Sequence, residues 1–200
     1  QNTVLDTYSF CASENGREMC LSLSKAGGYP LYYLMNREIG EETISIEDAI
    51  AKAGAYLENL GFSSMKHSYY DCSGGVACVN FAYEQDGTLC YSDLIKVKVA
   101  LDNGEIVGLE TKGYLMAHQK RALPAAKLTA EDARGKINRH LQIDSLKLTL
   151  IPKDSKREVL CYECHGSFSG KNYLIYINAV NGREEKILML LESENGILTI

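Results

Sequence analysis

A helix-start motif occurs twice in this sequence, and each copy is followed by strand-like segments separated by glycine turns. The copies lie at residues 43–49 and 127–133. In each, a hydroxyl residue, Ser45 or Thr129, stands three positions before an Asp, where its side chain can accept a free N–H of the first helical turn. A helix followed by an antiparallel meander predicts an α+β fold, in which each helix lies on one face of a sheet.

Apolar residues after each start motif recur at helical spacing. The stripe after Ser45 comprises Ile46, Ala49, Ile50, Ala53, Leu57 and Leu60, and Gly61 is a typical helix stop. The stripe after Thr129 is sparser and comprises Ala130, Ala133, Ile137 and Leu141. We therefore expect one long helix and one weaker helix.

Strand-like segments follow each predicted helix in similar order. They are expected at residues 67–72, 76–83, 89–101 and 105–110, and again at 146–151, 158–165, 173–179 and 186–191. The pair Asn103-Gly104 in the first series corresponds to Asn181-Gly182 in the second, and such pairs favour tight turns between strands.

The first 42 residues resemble the strand half of a further unit, with strands at 7–11, 19–25 and 31–35 but no helix. An incomplete sheet exposes an apolar face, so we expect this part to dock on its neighbour or on upstream sequence. The predicted division is 1–41, 42–123 and 124–200.

Composition narrows the classes of function. The formal net charge is −5, so a nucleic-acid partner is not expected. No apolar run approaches the roughly 20 residues of a membrane-spanning helix. The first residue is Gln1 and no signal-peptide pattern follows, so we expect a processed or trimmed fragment whose membrane anchor or export signal was upstream.

Several passages carry a family resemblance. They are residues 91–108 and 112–118, residues 161–163, 176–179 and 182–188, and the shorter 27–28 and 36–38. Together they resemble the C-terminal region of the YpeB family of spore-germination proteins over essentially the whole chain. The resemblance implies tandem PepSY-like units, each with one helix packed on an antiparallel β-sheet, the first of them incomplete.

The resemblance also implies a function and a place. Proteins of this family act outside the forespore cytoplasm, between the spore inner membrane and the cortex. They work with a SleB-type cortex-lytic transglycosylase, which they stabilise, localise or restrain until germination. The resemblance implies a non-catalytic module without cofactors, bound to the membrane only through a missing N-terminal anchor. Peptidoglycan is a further candidate partner, and a general peptidase-inhibitory or peptidoglycan-binding module is an alternative function.

A different alternative rests on Cys161, Cys164 and His165, which match the C-x-x-C-H pattern of c-type haem attachment. It would make the chain a thiol or haem redox protein. The segment has the pattern of a strand, however, and alternation along a strand places Cys161 and Cys164 on opposite faces. The two thiols would then not face one haem or metal.

Cys11 and Cys20 are candidates for a disulfide. A two-residue turn at Asn15-Gly16 places them opposite each other at a non-hydrogen-bonded position, where the Cα atoms are close enough to bridge. An uncertain register and the odd total of seven cysteines instead favour two unbridged thiols.

Candidate partner-binding residues lie in two places. Lys96 and Lys98 alternate with apolar residues, which predicts a strand with one basic and one apolar face. The others are Tyr114, His118 and Arg121, in a segment expected to link two units. The four histidines are scattered, no metal-ligand spacing occurs, and no motif of a hydrolase active site is present.

Overall fold

The computed structural model describes residues 5–153, 157–193 and 196–199. The chain forms two compact units. The N-terminal unit comprises residues 1–83 and 93–118, and the C-terminal unit comprises residues 84–92 and 119–200. The finer division into three repeats at 1–41, 42–123 and 124–200 stays a prediction.

Seven strands contribute to the sheet of the N-terminal unit. In chain order they are β1 (Thr7–Glu14), β2 (Arg17–Ser24), β3 (Pro30–Asn36), β4 (Met65–Ser73), β5 (Val76–Gln85), β6 (Thr88–Ala100) and β7 (Ile106–Glu110). Their spatial order is β1-β2-β3-β7-β6-β5-β4. Because β3 pairs antiparallel with β7, at Tyr32↔Glu110 and Leu34↔Gly108, the first three strands extend the sheet at its edge. The expectation that they dock on their neighbour is confirmed.

Helix α1 (Ile46–Asn59) covers one face of this sheet. Ser45 caps it as predicted, since its Oγ accepts the N–H of Asp48 at 3.1 Å. The predicted stripe is buried at Ala49, Ala53 and Leu57. Complete burial of a leucine side chain such as Leu57 stabilises the folded state by about 1.5–3 kcal/mol. The sheet meets this stripe with buried apolar side chains of three strands, namely Ala77, Val79, Phe81, Ile95, Val97, Val99 and Leu109.

The apolar face of β1 and β2 is exposed, as predicted for an incomplete unit. Tyr8 and Phe10 are 56% and 58% exposed. They stand opposite Leu23 and Leu21 of β2. A patch of this kind is unusual on the surface of a monomeric protein.

A short helix that the sequence analysis did not predict follows β7. It is α2 (Lys112–Ala117), in the segment expected to be a linker. Its first turn begins at Thr111, whose hydroxyl donates to the carbonyl oxygen of Pro30 at 2.5 Å. The helix is therefore tied to the start of β3 within the same unit.

The C-terminal unit contains α3 (Ala130–Arg134) and the strands β8 (Gln142–Pro152), β9 (Glu158–Phe168), β10 (Lys171–Asn178), β11 (Glu184–Ser193) and β12 (Gly196–Thr199). The strand order is β12-β11-β10-β9-β8. At the other edge of β8, Leu89 and Cys90 from the start of β6 pair in parallel with Thr149 and Leu150.

Helix α3 begins with the predicted cap but ends early. Thr129 and Asp132 form a complete capping box. The prediction that the apolar stripe continues as a helix to Leu141 is wrong, because the helix ends at Arg134 and Gly135 provides its C-cap. Ala133 and Ile137 are nevertheless buried. Mixed α+β structure is confirmed, and no helix in the described part of the chain is long and apolar enough to cross a membrane.

Candidate functional site

The face of the N-terminal sheet opposite α1 carries the predicted basic stripe. Lys96 and Lys98 are exposed, whereas Ile95, Val97 and Val99 between and beside them are buried. The predicted division of β6 into a basic and an apolar face is confirmed. We call this surface the open face, and define it by Tyr69, Asp71, Cys78, Lys96, Lys98, Gly108 and Glu110.

The two lysines have different surroundings. Lys96 stands opposite Glu110 of β7, with its Nζ 3.9 Å from the Glu110 Oε2. Both side chains are about half exposed, so this pair contributes little to stability. Lys98 stands opposite Gly108, and a Cβ added to Gly108 would lie 2.9 Å from Cδ of Lys98. The lysine stem therefore lies across the strand where a side chain is missing.

A depression of about 350 Å³ adjoins the Lys98 side chain. Its lining includes the apolar Leu34, Val76 and Val107 and the polar Asp71 and Cys78. Burial raises the pKa of the Cys78 thiol, and Asp71 acts in the same direction, while Lys98 and Lys96 oppose them. The thiol is therefore protonated at neutral pH and is a weak nucleophile.

Tyr114 and His118 come together at α2. Their rings stack with centroids 4.2 Å apart, and Tyr83 meets the His118 ring edge-on at 4.5 Å. The His118 Nδ1 lies 2.9 Å from Oδ2 of Asp93, a carboxylate with no exposed surface. We call Asp93 and His118 the buried pair after its carboxylate, since the imidazole side chain is 31% exposed.

The buried pair resembles the orienting half of a hydrolase triad, in which a buried Asp fixes a His that serves as base. Here, however, the imidazole stacks on the Tyr114 ring and is met edge-on by the Tyr83 ring. Burial raises the pKa of the Tyr114 phenol, and Asp93 and Tyr83 act in the same direction. The arrangement anchors the end of α2 to β6, and the chemistry around it favours a structural role.

Arg121 lies in the C-terminal unit and is engaged there. Its Nε and Nη2 donate to the two carboxylate oxygens of Glu158 at 2.7 and 2.9 Å. Its backbone N–H donates to Oε1 of Gln85 at 2.9 Å. The side chain is only 6% exposed. A partner-binding role for Arg121 stays a prediction, and the same is true of Lys96, Lys98, Tyr114 and His118.

Met116, also in α2, is 48% exposed, so about half of its surface is open to solvent. Tyr114 does pack, against Phe62 at 5.2 Å between ring centroids.

The cysteines of the C-x-x-C-H motif lie on β9, as predicted, so strand alternation places them on opposite faces. Cys161 packs with Ile151 and Tyr176. Burial raises the pKa of the Cys161 thiol to about 12, and it also raises the pKa of Cys164. In the described residues, no three His, Cys, Asp or Glu side chains are grouped closely enough to hold a metal ion.

The β1–β2 hairpin has the predicted register, with Cys11 opposite Cys20. Their Cα atoms are 4.2 Å apart and the side chains form a disulfide. The expectation of two unbridged thiols is therefore wrong, because the turn at Asn15-Gly16 brings the two residues into direct opposition. Five other cysteines take no part in a disulfide among the described residues, namely Cys72, Cys78, Cys90, Cys161 and Cys164.

Family comparisons agree with this architecture. Residues 1–124 match the family described as "YpeB sporulation, PepSY1 and PepSY2 domains". Residues 127–188 match the family described as "Peptidase propeptide and YPEB domain". The chain belongs to the YpeB sporulation protein family.

Relatives in this family are similar along nearly the whole chain. The sporulation protein YpeB of Halalkalibacterium halodurans is 38% identical over 195 residues, which is 95% of this chain and 43% of that protein. The sporulation protein YpeB of Bacillus subtilis is 32% identical over 201 residues, 97% of this chain and 44% of that protein. The chain thus spans less than half the length of these relatives.

A solved structure, the Bacillus megaterium YpeB C-terminal domain, has the same fold. Its TM-score is 0.87 at 30% identity, with 96% of this chain and 86% of that chain covered. The predicted YpeB membership and PepSY-type α+β fold are confirmed.

Sequence reasoning missed a network of charged side chains in the N-terminal unit. Arg37 donates to both carboxylate oxygens of Asp102, at 2.7 and 2.8 Å, and to Glu105 at 2.8 Å. Asp93 was also missed. An acidic residue inside the apolar run of β6 was the available signal for Asp93, because a buried carboxylate requires a partner.

Proposed function

We propose that this chain is a non-catalytic binding and regulatory module whose partner is a SleB-type cortex-lytic hydrolase. The observation that supports this best is the open face. Helix α1 covers the opposite side of the same sheet, so the fold leaves Lys96 and Lys98 exposed on the other side. A sheet covered by a helix on one side has room for a partner on the other.

The arrangement of reactive groups also supports a binding role. The buried pair lies against tyrosine rings, and the pKa values of Cys78, Cys161 and Cys164 are raised. Thiols that are protonated at neutral pH are poor nucleophiles. The side chains that would suit chemistry are therefore better explained by packing.

The family description supports the regulatory part of the proposal. Residues 127–188 match a family that also includes peptidase propeptides, and such segments act on an enzyme by binding it. The same match makes inhibition of a peptidase a second candidate function. For the spore we place the chain between the inner membrane and the cortex, as family membership suggests.

The test is a binding titration of the purified chain against a purified SleB-type hydrolase. The informative variant is Lys96→Glu with Lys98→Glu, which reverses the charge of the open face. The matched control is Lys112→Glu with Lys171→Glu, which changes the net charge equally at two exposed lysines outside the open face. We expect the first variant to weaken binding at least about tenfold, which corresponds to roughly 1.4 kcal/mol.

Equal binding by both variants would exclude the open face as the contact. No binding by the unmodified chain would contradict the proposed partnership for this region. Sedimentation with insoluble cortex, and inhibition of a panel of peptidases, would identify peptidoglycan binding or peptidase inhibition instead.

A further inference from the structure

A row of side chains crosses the open face beside the depression. Asp71 of β4 stands opposite Cys78 of β5, and Lys98 of β6 stands opposite Gly108 of β7, which in turn stands opposite Leu34 of β3. Cys78 connects the two halves of the row, since both Asp71 and Lys98 act on its pKa. The row thus places a carboxylate and an ammonium group on one surface, with a thiol between them.

Both charges of the row are uncompensated. Among the described residues, neither Lys98 nor Asp71 forms an ion pair, whereas the neighbouring Lys96 is paired with Glu110. Arg37 also borders the depression, but its guanidinium is occupied by Asp102 and Glu105. An incoming ligand therefore meets one available cation and one available anion.

Gly108 gives the cation a defined position. Any side chain there would collide with the Lys98 stem, whose Cβ, Cγ and Cδ lie 3.1, 3.1 and 2.9 Å from the site of an added Cβ. Gly108 is in the middle of a strand and does not have a positive φ, so chain geometry does not require glycine. Glycine here allows the close approach of the lysine stem, which a larger residue would force to shift.

We propose that this depression binds a small zwitterion, either a free amino acid or a very short peptide, through both of its charges. Lys98 holds the carboxylate and Asp71 holds the ammonium group. The apolar lining from Leu34, Val76 and Val107 accommodates a small side chain. The volume of about 350 Å³ lies at the lower end of the range for small-molecule sites.

The charge arrangement selects this class of ligand. A phosphate or a dicarboxylate would place a second negative charge close to Asp71, where like charges repel. An amine without a carboxylate would leave Lys98 unpaired. A zwitterion satisfies both groups at once. This inference goes beyond the proposed function, because it requires no hydrolase.

The test titrates the full chain with trialanine and detects binding through the chemical shifts of the backbone amides. Three further ligands isolate each contact: N-acetyl-trialanine lacks the ammonium group, trialanine amide lacks the carboxylate, and alanine is the free amino acid. We expect saturable shifts at Leu34, Cys78 and Lys98 with trialanine, and at least about tenfold weaker binding when either charge is blocked.

Two substitutions at exposed positions test the same contacts from the protein side. Lys98→Met keeps the stem and removes the charge, and Asp71→Asn keeps the shape and removes the charge. Each should weaken trialanine binding about tenfold. Lys171→Met, at an exposed lysine of the C-terminal unit, should leave binding unchanged.

The site is supported if trialanine binds saturably and both blocked peptides lose this binding. If alanine binds as well, the ligands include free amino acids. Absence of shifts with all four ligands overturns the proposal. Equal shifts with the free and blocked peptides also overturn it, because charge would then play no part. Neither result bears on binding of the hydrolase, so the two proposals fail separately.

Discussion

At the scale of single residues, the buried pair shows how one charged contact stabilises a helix end. Asp93 has no exposed surface and receives Nδ1 of His118 at 2.9 Å. Removal of a partner from a buried carboxylate costs about 1–3 kcal/mol, since the charge keeps its desolvation penalty. We therefore expect His118→Ala to lower the free energy of unfolding by this amount, measured by urea denaturation of the full chain.

His165→Ala is a matched control for that prediction. His165 also faces an aspartate, Asp144, but at 3.8 Å and with both side chains about a third or more exposed. Its removal should change the free energy of unfolding by less than about 0.5 kcal/mol. An equal decrease in the free energy of unfolding for the two variants would show that burial of Asp93 does not determine how much stability is lost.

Arg121 and Glu158 make a pH-dependent contribution. Burial tends to raise the pKa of Glu158, but hydrogen bonds from Arg121 and Ser92 lower it overall. A carboxyl group whose pKa is lower in the folded state stabilises the protein above its unfolded pKa of about 4.3, and this stability is lost as pH falls through the folded value. Arg121→Gln should thus cost about 2 kcal/mol at neutral pH and less in acid.

The measurement is the urea midpoint of the full chain at neutral pH and again well below pH 4. Arg157→Gln is the control, because Arg157 is an exposed arginine next to Glu158 in sequence. The Arg121 variant should approach the unmodified chain as the pH falls, while the control should match it throughout. A difference that persists in acid would contradict the role given to Glu158.

Prediction from sequence succeeded for residues that obey a local period and failed for those defined by distant contacts. Alternation along β6 correctly assigned Lys96 and Lys98 to one face. The contact between Asp93 and His118 joins residues 25 positions apart and depends on α2. No local pattern contains that information.

At the scale of elements, the β1–β2 hairpin is an edge structure closed by a covalent bond. The disulfide joins Cys11 to Cys20 across the turn. By restricting the unfolded chain, a disulfide that closes so short a loop stabilises the folded state by about 2–3 kcal/mol. We expect Cys11→Ser with Cys20→Ser to accelerate amide hydrogen exchange in β1 and the facing part of β2, with little change in α1. Equal acceleration in α1 would contradict a local role.

The helices illustrate what local signals determine. Both predicted caps, at Ser45 and Thr129, are present, because capping depends on residues three positions apart. The end of α3 was misplaced because Gly135 stops the helix before its apolar stripe ends. Helix α2 was missed because it is only six residues long and contains Gly113.

At the scale of the whole molecule, the class of fold followed from the order of helices and strands, but the sheet connections did not. Pairing of β3 with β7 joins segments that are far apart in sequence. This pairing turns the first three strands into an extension of the N-terminal sheet. The family resemblance supplied the expected PepSY-type units, and the structural similarity to the YpeB C-terminal domain confirms that fold.

The most direct test of the central claim follows release of soluble cortex fragments by a SleB-type hydrolase while this chain is added in increasing amounts. The account predicts a saturable change in the rate of release, weakened by Lys96→Glu with Lys98→Glu and retained by Lys112→Glu with Lys171→Glu. An unchanged rate at every concentration, together with no detectable binding, would contradict the assignment of this chain as a regulatory partner.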